Sequence, residues 1–205
     1  MRLRGWVSTV PYMNNTQAFA ELMWMLLGDL RYSLLLGLLA VACLIDVRSF
    51  KIPNWLTFGG AAFALIYSAV VPFSDGEGFI WSLGGLAAGL AIMLPAYALR
   101  VMGAGDVKLM AMVGAFLGLT PTVYAALFVF VCGGVLAMGH AVLRGALLRL
   151  TGNVKAITQG ALYAVMGGMR PNVDVVPAQS IGKMPFALSI ALGTTAFLVA
   201  QQLGF

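Results

Sequence analysis

Leu34-Leu35-Leu36-Gly37-Leu38-Leu39-Ala40-Val41-Ala42-Cys43-Leu44-Ile45-Asp46: twelve uncharged, mostly apolar residues run straight into an aspartate. With its flanks the run covers Leu30–Val47, enough for a membrane-spanning helix, which needs roughly 17–25 mainly apolar residues. Four more runs of this kind follow, at Asn54–Val71, Phe79–Val101, Thr122–Leu143 and Pro185–Leu203. A shorter one, Asp106–Leu119, rises only ~21 Å as a helix against a hydrocarbon core of ~30 Å. Either it is tilted and buried among neighbours, or the loop before it dips below the membrane surface. The expected fold is all-α: a polytopic membrane helix bundle of about six transmembrane helices, one of them short.

Composition points the same way. Charged residues make up 9% of the 205-residue chain and hydrophobic ones 61%, with 25 glycines besides. Soluble proteins carry about 25% charged residues. So few charges do not cover the surface of a soluble enzyme, and so apolar a chain is not disordered. The net charge of +5 does not indicate nucleic-acid binding, because the basic residues lie between apolar blocks rather than in a patch. Cys43 and Cys132 sit inside apolar runs without metal-site spacing, so neither a disulfide nor a metal site is expected. No cofactor motif is present.

Residues 1–29 read as an N-terminal extension and 30–205 as one membrane domain. Within the extension, Ala18–Leu30 is apolar but carries Glu21 and Asp29; it extends the first helix or lies in the interface. Met13, Met23 and Met25 are alternative starts. Lys and Arg set the orientation. Arg48, Lys51, Arg100, Lys108, Arg144, Arg149, Lys155, Arg170 and Lys183 fall on one side, and Arg2, Arg4 and Arg31 on the other. The first side is expected to be cytoplasmic, with both termini outside. The loop of residues 144–183 then faces the cytoplasm, and its weakly amphipathic stretch Val154–Met166 is either an interfacial helix or a tether. Gly85/Gly89 and Gly114/Gly118 are small-xxx-small pairs that permit close helix packing.

Of seven acids, Glu21, Asp29, Asp75, Glu77 and Asp174 can all be solvated. Asp46 and Asp106 differ: one ends the first helix, the other opens the short one, and the topology puts both at the same membrane face. Ionisable groups within spans usually mark function. Two close carboxylates in a low-dielectric site share a proton, so that one activates water and the other donates to a scissile carbonyl. Gly103 and Gly105, just before Asp106, can take backbone angles closed to other residues, letting a peptide approach. A plainer reading stands beside this one. Asp46 with Arg48 and Lys51 is then an interfacial charge cluster and Asp106 a helix cap. Lys108 either shapes the potential of the site or anchors the helix at the headgroups; two residues on from Asp106 it points largely away on an ideal helix, which favours the anchor. Pro53-Asn54 opens the second helix. His140, alone late in the fifth span, reads as a packing or interface residue.

The stretch Gly103-Ala104-Gly105-Asp106-Val107-Lys108-Leu109-Met110-Ala111, continuing to Gly114 and Gly118, resembles the signature of type IV prepilin peptidases, the bacterial GxGD intramembrane aspartyl proteases. Asp46 followed by Ile52-Pro53-Asn54-Trp55-Leu56-Thr57 resembles the other half of that signature, and Met184-Pro185-Phe186-Ala187 is similar to the family's last-helix entry. Archaeal preflagellin peptidases share the aspartate motif, but the Ile-Pro-Asn element and compact layout are closer to the bacterial form. The resemblance spans roughly Leu30 to Gly193. It implies an aspartyl endopeptidase of the bacterial inner membrane. Such an enzyme removes the basic leader from prepilins or pseudopilins at the cytoplasmic face, using Asp46 and Asp106 as catalytic residues without metal or cofactor. Its implied partners are the apolar helix of the substrate and membrane lipids. Bifunctional members carry paired CxxC motifs and also N-methylate the product. This chain has no CxxC, which implies the peptidase-only form similar to that of Flp/Tad pilus systems. Two other classes remain open: a small proton-coupled transporter, and a non-catalytic pilus or secretion scaffold.

Overall fold

The structure, a computed structural model, describes residues 28–71, 78–99, 102–143, 158 and 185–203. Six helices are found among them: α1 Leu30–Ser49, α2 Asn54–Val70, α3 Phe79–Ala98, α4 Ala104–Leu117, α5 Leu119–Leu143 and α6 Phe186–Gln202. The loop of residues 144–183 with its Val154–Met166 stretch (Thr158 apart), Glu21, Asp75, Glu77 and Asp174 lie outside the described residues. Three helices, α1, α3 and α5, are long and apolar enough to cross a membrane, and α2 and α6 are shorter apolar helices. The bundle is dressed for lipid: Leu44, Ile66, Ile80, Val131, Val135 and Leu143 are all exposed. Where the outside is as apolar as the inside, burial alone does not hold helices together, and close backbone packing and interhelical hydrogen bonds do that work.

The short helix is the centre. From Leu109 to Leu117 every residue of α4 is buried, so α4 faces other helices on all sides and has no need to match the bilayer. Of the two explanations offered for its length, burial among neighbours is the one found. Its closest partner is α3, and the approach is made by glycine. A Cβ on Gly85 would strike the Gly114 carbonyl oxygen, a Cβ on Gly114 would strike that of Gly85, and one on Gly89 would strike that of Met110. The two small-xxx-small pairs are thus largely two sides of one contact. Ser82 Oγ adds a buried hydrogen bond to the Ala115 carbonyl at 2.6 Å.

Gly118 alone separates α4 from α5. Its φ of 80° lies in the left-handed region open to glycine, and the Trp81 ring covers the place a side chain would take. The chain therefore re-enters a helix at Leu119, three residues before the expected Thr122. Pro121 falls in the first turn, where its missing N–H has no partner to lose. At α3 the expected end, Val101, gives way to Ala98, one turn's reach past Pro95.

Arg31 is a second surprise. The charge pattern counted it among the basic residues of the outer side without giving it partners, and it is 2% exposed. Its Nη2 donates to the Val71 carbonyl at 3.0 Å, at the end of α2. Its guanidinium lies 5.2 Å from the Tyr67 ring centre and 5.4 Å from that of Trp81. One side chain thereby braces the start of α1, the end of α2 and the start of α3, and through Trp81 the α4–α5 turn.

Two outcomes are expected for the unfolding of purified protein in mixed micelles. Gly85→Leu costs more than about 2 kcal/mol, because a backbone collision has no rotamer to escape into, whereas Gly37→Ala, which meets open space, stays within about 0.5 kcal/mol. Arg31→Lys lowers stability by about 1 kcal/mol or more, since an ammonium lacks the planar face that stacks on Tyr67 and Trp81. A native unfolding midpoint in Gly85→Leu rejects the first, and one in Arg31→Lys the second.

Candidate active site

Asp46 stands in the last turn of α1 and Asp106 in the first turn of α4, sixty positions apart in sequence. The fold turns the helix ends that carry them toward one another: Ile52, six residues after Asp46, packs on Gly105, the residue next to Asp106. Each carboxylate is held by a backbone amide at the start of a helix, where N–H groups lack intrahelical acceptors. Asp46 is 6% exposed, and its Oδ2 accepts the Ala187 N–H at 3.1 Å, in the first turn of α6. Asp106 is half-buried, and its Oδ2 accepts the Gly103 N–H at 3.1 Å. This is one half of a capping box, the glycine having no side chain to return the bond. Anionic groups at helix starts are favoured by the helix dipole.

The remaining motif residues knit the two segments together. Pro53 is the cap residue of α2 and Asn54 its first helical residue. Lys108 Nζ donates to Asn54 Oδ1 at 3.0 Å and lies 5.1 Å from the Phe58 ring centre. Its ammonium is therefore bound to α2, at an exposed position.

The glycines need a correction. Gly103 has φ −81° and ψ 158°, and Gly105 is helical; neither uses a positive φ. Gly105 is instead a matter of space, since a Cβ there would sit 3.3 Å from Ile52 Cβ. So Ile52 of one motif packs on Gly105 of the other, and Asn54 of one bonds Lys108 of the other.

Phe50, four residues after Asp46, takes a left-handed φ of 50° and ends α1 with its N–H on the Asp46 carbonyl at 2.8 Å. That conformation is costly for a residue with a Cβ and turns the chain at once toward Ile52 and α2. His140 Nε2 is buried without a hydrogen-bond partner among the described residues, and it makes no described contact with either aspartate. Cys43 and Cys132 are free thiols. Among the described residues, no group of three or more His, Cys, Asp or Glu side chains is placed to hold a metal ion. Sequence reasoning gave no role to the Ala187 amide. The similarity of Met184–Ala187 to a known last-helix entry was the signal, but nothing in it named Asp46 as the partner.

Comparison with known proteins bears on this arrangement directly. The model of the type IV leader peptidase family matches residues 33–138, a stretch that includes both aspartates, the Ile52–Thr57 element and helices α2 to α4 entire. No curated protein and no solved structure matches the chain. The family match covers just over half of the 205 residues, and with the helical membrane bundle around it the conclusion is that this multi-pass membrane protein belongs to the type IV leader peptidase family and is a peptidase.

Proposed function

We propose that this peptidase is an aspartyl endopeptidase that removes the basic leader from prepilins or pseudopilins, with Asp46 and Asp106 as its catalytic pair. The observation that supports the reading is that the end of α1 and the start of α4, each bearing a buried or half-buried carboxylate, come together through Ile52 and Gly105 in a chain with few other charges. Carboxylates that repel one another at low dielectric hold one proton between them. They titrate as a unit, so the acid and base roles belong to the pair.

The chemistry follows from that shared proton. The ionised partner takes a proton from water as its oxygen attacks the scissile carbonyl carbon, and the protonated partner donates to the carbonyl oxygen. The tetrahedral intermediate then collapses: the C–N bond breaks, a proton passes to the leaving amine, and the pair returns to its one-proton state. The Gly103 and Ala187 amides hold the carboxylates in place, which spares reorganisation during the step.

The excess of Lys and Arg on one side supports a cytoplasmic active site in a bacterial inner membrane. The substrate's apolar helix enters laterally from lipid, with its basic leader left in the cytoplasm. The proposed activity is cleavage alone, as in the peptidase-only form of Flp/Tad systems that the motifs resemble.

The test is leader cleavage of a prepilin in reconstituted membranes. Asp46→Asn and Asp106→Asn are each expected to lower the rate by roughly 10³-fold or more while the protein still inserts. Asp29→Asn, which alters the carboxylate capping the far end of α1, leaves the rate unchanged. Native cleavage by either of the first two variants rejects the pair.

A further inference from the structure

We infer that the start of α6 is a working part of the site: the Ala187 backbone amide is a positioning donor that sets the Asp46 carboxylate, and the seat of Phe186 against α5 sets that amide. This rests on the aspartate pair proposed above, and it adds to the pair a helix that lies outside the family-matched residues 33–138.

The two carboxylates are held in different ways. Asp106 takes its amide from Gly103, three residues away in its own helix start, so this bond travels with α4. Asp46 sits in the last turn of α1, where its own helix has N–H groups already committed to intrahelical carbonyls. Among the described residues the Ala187 N–H, 141 positions distant, is the one hydrogen-bond donor to its side chain. A carboxylate this buried depends on such a donor, and a bond to an ionised acceptor is about twice as strong as a neutral one.

The donor is free to serve. Ala187 is the second residue of α6, and the cap residue Pro185 supplies no N–H and no side-chain cap. The Asp46 carboxylate therefore acts as the missing cap of α6, and α6 in return aims Asp46.

The helix that aims it is itself fixed closely. A Cβ on Gly133 would lie 3.2 Å from Phe186 Cε2, and a Cβ on Gly193 would collide with the backbone of Val129. Ala187 and Ile190 are fully buried. These contacts leave α6 little room to slide along α5. A shift of its start would turn Asp46 relative to Asp106, whose own anchor would not follow.

The decisive experiment replaces the Ala187 amide by an ester, through incorporation of lactic acid at that position, and measures kcat and KM of leader cleavage in reconstituted membranes. The expected result is a kcat about tenfold lower with KM within about twofold. The same ester at Ala196, which deletes an ordinary helix bond, leaves kcat unchanged. A second pair of variants reads the same coupling through side chains, and decides the matter if the ester protein does not accumulate. Gly133→Val lowers kcat several-fold by displacing the Phe186 ring, and Gly133→Val with Phe186→Leu recovers most of it. A native kcat in the Ala187 ester protein, or a Gly133→Val loss that Phe186→Leu does not relieve, overturns the inference. If Asp46→Asn is inactive in the same assay while the Ala187 ester is native, only this inference falls. If Asp46→Asn is active, the pair falls and takes it along.

Discussion

Everything in the bundle hangs on the contact between α3 and α4, where Gly85 and Gly114 put carbonyl oxygens where Cβ atoms would otherwise stand. In lipid there is no water to expel from between helices, so a helix pair is held by how closely its backbones come together. Glycine on both sides makes that distance the smallest available. The consequence is a central helix of fourteen residues that its neighbours enclose. Because α4 need not reach both surfaces of the bilayer, its first turn lies amid the ends of other helices. A polar residue there meets helix starts and loops, and Asp106 is that residue.

The same logic governs the other charges. Arg31 is taken up by aromatic faces and a helix-end carbonyl, Lys108 by Asn54 and Phe58, and Asp46 by a helix-start amide. Each of these three groups has protein partners that stand in for water. Arg31 works at one end of α1 and Asp46 at the other, so a single helix carries both the brace of the bundle and one half of the proposed catalytic pair. Catalysis by such a pair asks for carboxylates whose relative geometry does not drift, and each of the two is tied to a backbone amide.

The helices were legible because their signals are local. Leu30, Asn54 and Phe79 open three helices as read, since apolar runs bounded by Asp29, Pro53 and Gly78 leave little choice. The misses are also local: Gly118 makes a one-residue turn, and α4 opens at Ala104, two residues before the expected Asp106. Asp46 and Asp106 stood out in sequence because a chain with so few charges makes each one visible. What sequence did not disclose is pairing across long separations. Nothing near Arg31 indicates Val71, nothing near Lys108 indicates Asn54, and nothing near Asp46 indicates Ala187. Gly103 and Gly105 were read for backbone freedom when the need at Gly105 was room for Ile52; periodicity and composition do not carry that difference.

The central claim is that Asp46 and Asp106 form one proton-sharing unit, and the most direct test is the residual cleavage rate of the combined Asp46→Asn/Asp106→Asn variant set against the two single variants. If the pair is one unit, breaking it twice is no worse than breaking it once, and the double variant retains the residual rate of either single one to within about threefold. A double variant whose loss is the product of the two single losses would mean that the aspartates act independently, and would contradict the claim.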